Sequence, residues 1–193
     1  MSWIPLIGRS RERSVAGYRK GETLARALLD LGGRCFGERD GAQADLVTTD
    51  GALSFHVREK VHSQFMMHVV TLEFALRVPG APAGTGMVNI SHTGMLRRRA
   101  LEFKVKRGAH GDFQPLLVTL SASSALSEAL MALDFQSCQV HADARGYSIC
   151  IEHYAASEVV SRMPALRRYI RLTQPQSGAL LGALIALRAL LQK

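Results

Sequence analysis

Apolar residues repeat at helical spacing in three parts of the chain, and each repeat predicts a helix. In the first, Leu24, Leu28 and Leu31 share a face, and Gly32-Gly33 predicts the end because glycine accepts the left-handed conformation of a helix C-cap. The second follows three candidate capping serines, Ser121, Ser123 and Ser124. The third, residues 174–193, is apolar on nearly every side, which is typical of a buried helix.

Between these helices the apolar residues alternate with polar ones, which predicts strands. Asp50-Gly51 accepts the positive φ angles of a tight turn and separates two strand-like runs. The alternation changes parity near residues 61–64, where we expect a turn or bulge before a long strand over 65–78. Two further hairpins are predicted over 87–108 and 137–155.

This order of elements predicts an α+β fold. We expect an antiparallel β-meander of about five to seven strands, with an N-terminal helix and C-terminal helices packed on one face. A chain of 193 residues fits a single domain, 1–193, in which residues 1–13 form a flexible or anchoring arm.

The balance of charge is basic, with 24 Lys and Arg against 16 Asp and Glu. Such a balance favours an acidic partner, although a solvated basic surface explains it equally well. The densest run is LRRRALEFKVKRG, whose basic ladder suits phosphate oxygens. The alternative is a charged edge strand that blocks sheet aggregation. The basic residues of this run are Arg97, Arg98, Arg99, Lys104, Lys106 and Arg107.

A second basic group lies in SEVVSRMPALRRYIRL, which we interpret as a helix that Pro164 starts or kinks. On a helix, Arg167 and Arg171 share a face, with Arg168 and Tyr169 beside them. Aromatic residues make up only 6% of the chain, and no helix-turn-helix is evident. The group therefore favours non-specific anion binding over recognition of a DNA sequence.

Three histidines, His56, His62 and His68, are equally spaced, but the change of parity separates them. We expect His56 to face solvent, His62 to lie at a turn and His68 to enter an apolar face. No metal site is predicted, because the Cys/His spacings of zinc sites are lacking.

Three cysteines without a CxxC pair fit a reducing cytoplasm. Cys138 and Cys150 lie on the two arms of a predicted hairpin. They are either small buried apolar residues or neighbours that could form a regulatory disulfide.

Evidence for catalysis is thin. Glu152 and His153 are adjacent, but neighbours on a strand point to opposite faces. The common catalytic and nucleotide-binding motifs are lacking, so the sequence leans against an enzyme and predicts no cofactor. The alternative is a ligand or active-site pocket between sheet and helices that uses His68 or His153.

Membrane association has two weak signals. The most apolar stretch, ALLGALIALRALLQ, contains Arg188 and is shorter than the ~20 residues that span a bilayer. MSWIPLIG is no signal peptide, since its apolar run is short and arginines follow it. Together with those arginines it favours peripheral contact with a membrane surface.

Three stretches, SQFMMHVVTLEFALRVPG, SHTGMLRR and ASEVVSRMPALRRYIRL, together resemble a bacterial family grouped as domain of unknown function 3156. The resemblance spans about the last three quarters of the chain. It implies a small bacterial protein and supplies no activity, ligand or site residue. The element order also resembles type III secretion chaperones, dimers that bind partner polypeptides, but no motif matches.

The sequence therefore favours a cytoplasmic, non-enzymatic binding or adaptor module with a basic surface. Its expected partner is an acidic protein or non-specific nucleic acid, and a homodimer is consistent with the pattern. The pocket and the membrane surface stay as alternatives.

Overall fold

The computed structural model describes residues 17–94 and 99–192. They form four helices and nine strands. In chain order these are α1 (Glu22–Asp30), β1 (Cys35–Asp40), β2 (Gln43–Thr48), β3 (Ser54–Ser63), β4 (Met67–Val78), β5 (Gly86–Thr93), β6 (Ala100–Arg107), α2 (His110–Ser121), α3 (Ser124–Met131), β7 (Phe135–Asp143), β8 (Gly146–Arg162), β9 (Ala165–Ile170) and α4 (Gln174–Leu191).

All nine strands join one antiparallel sheet, in the order β1-β2-β3-β4-β8-β7-β5-β6, with β9 paired to β8. The centre is β8, which has 17 residues. It pairs with β4 along one side. On its other side β7 pairs with its first half and β9 with its second.

The hydrophobic core lies on one face of this sheet. Leu72, Phe74 and Leu76 alternate along β4 into the core, while Thr71, Glu73 and Ala75 point to the opposite face. Helices contribute buried side chains such as Leu24, Phe113, Leu126, Leu180 and Leu184 to the same core. Every helix of the described ranges therefore packs on this face, and the other face carries polar side chains.

Local signals fix the helix ends. Ser123 caps α3 by accepting a hydrogen bond from the backbone N–H of Leu126. Thr173 and Gln176 form a reciprocal capping box at the start of α4. After α1, Gly32 and Gly33 both have positive φ angles, so they end the helix as the sequence indicates.

An irregularity divides β8. The β4–β8 register jumps between Val70 and Leu72, so that residues 154–157 form a bulge opposite Thr71. Ala156 in this bulge has a φ of 57°, a left-handed backbone angle that residues other than glycine rarely adopt. Beyond the bulge, β8 leaves β7 and continues with β9 toward α1.

The predicted fold class is confirmed: α+β, with an antiparallel sheet, an N-terminal helix and C-terminal helices on one face. The sheet has nine strands, and its order departs from a meander after β4, because β8 rather than β5 lies beside β4.

The helix predicted over 157–172 is wrong. These residues are the end of β8, a turn at Met163-Pro164 and strand β9. The β-branched residues Val159 and Val160 favour a strand, and proline disfavours a helix interior. Sequence patterning also missed β1 and helix α2, which forms despite Pro115 inside it.

Candidate functional site

The first predicted site, the basic run, lies at one edge of the sheet on β6. Arg97 and Arg98 fall outside the described residues, and Arg99 is exposed just before the strand. Lys104 forms an ion pair with Glu102 at 2.8 Å, which reduces the charge it offers. Lys106 and Arg107 are exposed at the far end of the strand. The described part of the run thus lies on a charged edge strand, and the anion-binding role of the run stays a prediction.

The second predicted site, the arginines near residue 170, is split by the strand geometry of β9. Arg167 points toward α1 and contacts Glu158 at 2.7 Å and Glu22 at 2.9 Å. Arg171 forms an ion pair with Asp30 at 3.1 Å. Arg168 is exposed on the opposite face. Only Arg168 is therefore directed away from the carboxylates that hold its neighbours.

The two histidines proposed to line a pocket lie apart. His68 pairs with Val160, and His153 pairs with Leu72, four residues further along β4, which is about 13 Å of strand. His153 is fully buried at the β8 bulge, where the backbone nitrogens of Asp134 and Ala155 lie 3.2 and 2.8 Å from its Nε2 and Nδ1. A neutral imidazole accepts a hydrogen bond at one of these two ring nitrogens.

His68 is also buried, and its Nε2 has no hydrogen-bond partner in the structure as described. Burial lowers the pKa of His68, and the nearby charges of Arg162 and Arg167 lower it further. The imidazole ring of His68 is therefore held in its neutral form near the start of β4.

The prediction that His56 faces solvent is wrong. It lies on the polar face, but it is 5% exposed, and its Nδ1 contacts Asp45 at 2.8 Å. His62 belongs to β3 rather than to a turn, and it contacts Glu152. No group of three potential metal ligands forms within residues 17–94 and 99–192.

Cys138 and Cys150 lie on neighbouring strands but face opposite sides of the sheet, because Cys138 pairs with Ile151. Both are free thiols. Burial raises the pKa of each, and with the charge of Glu73 it brings that of Cys150 to about 12. Neither thiol is activated as a nucleophile.

A polar network that the sequence analysis missed lies on the open face of the sheet. Glu73 and Glu152 are directly opposite each other, and both are almost fully buried. Lys60 bridges them at 3.2 and 2.7 Å, Arg58 contacts Glu73 at 2.6 Å, and Thr71 donates to Glu152. The register of β3, β4 and β8 alone brings these residues together.

The charges of this network are fixed. Burial raises the pKa of Glu152, but hydrogen bonds from Lys60 and Thr71 outweigh it and hold the pKa below its usual value. Burial lowers the pKa of Lys60, but the two carboxylates outweigh it and raise the pKa. Both groups stay ionised near neutral pH, so neither is poised to exchange a proton.

Exposed apolar side chains collect at one end of the molecule. Ten large apolar or aromatic side chains are exposed in the described part of the chain, and four of them, Phe65, Met66, Met163 and Leu166, lie at or beside the β3–β4 and β8–β9 turns. Phe65 is 98% exposed, Met163 73% and Leu166 52%. Exposed apolar side chains grouped in this way are a candidate contact surface. We call this the hairpin-tip surface, formed by Phe65, Met66, Arg162, Met163, Leu166 and Arg168.

The two turns of the hairpin-tip surface are held side by side. β3 and β4 reverse at residues 64–66, and β8 and β9 reverse at residues 163–164. The backbone N–H of Arg162 donates to the carbonyl of Met66 at 3.0 Å, which joins the two turns. Leu166 and Arg168 alternate with Arg167, so they project on the face away from α1.

The charge of this surface is of one sign. Residues 64–69 and 159–171 contain arginines and no acidic residue. The nearest carboxylate in the sequence, Glu158, is 1% exposed and accepts hydrogen bonds from Arg26 and Arg167. Arg162 and Arg168 are exposed and form no ion pair with any other described residue.

Within residues 17–94 and 99–192, no helix has the length and apolarity needed to cross a lipid bilayer. Comparison with known families finds a match over residues 29–191 to a family described as protein of unknown function, DUF3156. No curated protein and no solved structure matches the chain.

Proposed function

This chain belongs to the DUF3156 family of proteins of unknown function, and we propose from its geometry that it is a non-enzymatic binding module. In this proposal the hairpin-tip surface holds an acidic macromolecular partner that also offers apolar groups. One observation carries it: exposed apolar side chains, and arginines that form no ion pair with another described residue, lie at or beside two adjoining turns that contain no carboxylate.

Energetics support a contact at this place. Phe65, Met163 and Leu166 are exposed to water. A partner that fully buried them would gain about 1.5–3 kcal/mol of hydrophobic free energy for each side chain. Arginines at the rim add attraction over a distance and select against basic partners. Association is therefore expected to weaken as salt is raised.

The other basic residues support this choice of surface. Lys104, Arg167 and Arg171 are each occupied by a carboxylate of the chain itself.

A non-enzymatic role is supported by the state of the buried polar groups. Lys60 and Glu152 are ionised and paired, His153 is held in the core beside backbone N–H groups, and the thiols of Cys138 and Cys150 are protonated. We place the module in the cytoplasm because free thiols persist in a reducing compartment.

Photo-cross-linking in cells that express the protein tests this function. The photoreactive analogue benzoylphenylalanine replaces Phe65 in one variant and Phe36, an exposed phenylalanine on β1, in a matched control. We expect covalent adducts at position 65, few at position 36, and loss of the former when Arg162→Glu and Arg168→Glu are added.

The adducts are identified by mass, whether they are proteins, nucleic acids or lipids. Equal yields at the two positions, or adducts that survive both charge reversals, would contradict an acidic partner at this surface.

A further inference from the structure

We propose that the partner of the hairpin-tip surface is an anionic lipid bilayer, an inference that rests on the function proposed above. Phe65 and Met163 enter the boundary between headgroups and acyl chains, while Arg162 and Arg168 meet lipid phosphates. The protein would thus bind reversibly at the surface of a membrane without spanning it.

The shape of the surface supports a lipid partner. Its most exposed apolar side chains, Phe65 and Met163, stand at two chain reversals that lie side by side, so they project from the end of the sheet. Side chains that project in this way need a recess in a protein partner. A bilayer yields to them instead, since apolar groups displace headgroups and reach the acyl region.

The charges beside the turns support an anionic membrane. Arg162 and Arg168 are exposed, and residues 64–69 and 159–171 carry no carboxylate that would repel phosphates. Guanidinium groups bind phosphate oxygens in bidentate fashion. The attraction is worth roughly a factor of five in partitioning for each arginine at the surface of an anionic bilayer.

Vesicle sedimentation with the full-length protein tests the proposal. One set of vesicles contains equal parts of phosphatidylcholine and phosphatidylglycerol, and the other contains phosphatidylcholine alone. We expect binding to the first set, weakening with salt, and little binding to the second. Each of Arg162→Gln and Arg168→Gln should lower the partition coefficient about fivefold, and Phe65→Ser with Met163→Ser should lower it further.

Matched controls distinguish binding through the hairpin-tip surface from binding through any exposed apolar or basic side chain. Leu29→Ser removes an exposed leucine on α1, and Arg145→Gln removes an exposed arginine from the β7–β8 turn at the opposite end of the sheet. Both should bind as the wild type does. Unchanged thermal unfolding verifies that each variant is folded.

Fluorescence reports where the tips lie. In a Trp3→Phe background, Phe65→Trp should shift to the blue and be quenched by brominated acyl chains when anionic vesicles are added, whereas Phe36→Trp should not respond. Vesicle binding that persists in the tip variants, or a Phe65→Trp signal that does not change, would overturn the proposal.

The two proposals fail differently. Salt-sensitive protein or nucleic-acid adducts at position 65, combined with no binding to anionic vesicles, would overturn the lipid partner and leave the binding function standing. No adduct at position 65 and no vesicle binding would overturn both.

Discussion

At the residue scale, the buried carboxylates of this protein are each held by several partners. Asp30 accepts hydrogen bonds from the Tyr169 hydroxyl at 2.8 Å and from the backbone N–H of Leu172 at 3.0 Å. Glu158 is held by Arg26 and Arg167. Such pairs link α1 to the far end of β8 and β9, and removing one partner leaves the other charge uncompensated.

Glu158→Gln is expected to lower the free energy of unfolding by about 3 kcal/mol, because it breaks a buried ion pair from one side. The value lies at the low end for buried pairs, since Arg26 and Arg167 are partly exposed. Urea unfolding measures it. Glu102→Gln, which breaks the exposed pair with Lys104, is the control and should cost at most about 1 kcal/mol. Equal losses of unfolding free energy in the two variants would contradict the assignment of Glu158 to a buried ion pair.

The pH dependence of stability should carry a contribution from His68. Burial and the charges of Arg162 and Arg167 hold its pKa in the folded state below the unfolded value of 6.5. The unfolded chain therefore binds this proton first as the pH falls. The stabilisation is present above pH 6.5 and is lost progressively below it, toward the folded pKa.

Urea unfolding of wild type and His68→Gln between neutral pH and pH 5 tests this dependence, with the exposed His110→Gln as control. The slope of stability against pH below the unfolded pKa should be smaller in His68→Gln and unchanged in His110→Gln. A slope unaffected by His68→Gln would show that other groups cause it.

At the element scale, caps and alternation decide where helices and strands begin. Helix α4 starts at a complete capping box and buries Leu180, Leu184 and Leu187 against the sheet and α3. Its apolar surface is therefore mostly covered within the protein itself. Strand β9, in contrast, leaves one of its faces uncovered. The alternation of its side chains directs Arg167 toward Glu158 and leaves Leu166 and Arg168 exposed.

Thr173→Ala should destabilise the protein by about 1 kcal/mol, since it removes the side-chain acceptor for the Gln176 backbone N–H. Thr173→Ser keeps this oxygen and should stay close to the wild type. Thermal unfolding of the three proteins measures the difference. Equal loss in both variants would indicate that the Thr173 methyl group, rather than the cap, is responsible.

At the scale of the whole molecule, stability is organised around β8 and β4, which pair with each other along most of their length and each have further strands outside them. Strands β1 and β6 end the sheet, and within the described residues no strand pairs with the outer edge of β9. Amides at such edges open without disturbing the core.

Hydrogen exchange should therefore protect the amides of β4 and the first half of β8 most strongly, with earlier exchange in β1, β6 and β9. Addition of anionic vesicles should slow exchange at residues 64–66 and 162–168 if these turns contact lipid. Protection of β9 equal to that of β4 in the protein alone would mean that the outer edge of β9 is covered.

The sequence by itself determined the class of fold and the position of many, but not all, of its helices and strands. The helical spacing of apolar residues, together with capping residues, locates α1, α3 and α4. The alternation of apolar and polar residues locates β3, β4 and both later hairpins. It also indicated that His68 is buried and that the Lys104 run forms a strand. These features depend on the order of residues along a single element, so local pattern suffices.

Only the tertiary structure decided the candidate site. Residues 163–164 come near 64–66 because β8 lies beside β4, and no local pattern encodes that neighbour. The same register places Lys60 between Glu73 and Glu152, and it divides Arg167 from Arg168. Strand pairing across long separations in the chain is set by the packing of the whole sheet on its helices. The hydrogen bond that joins Arg162 to Met66 therefore becomes visible only in three dimensions.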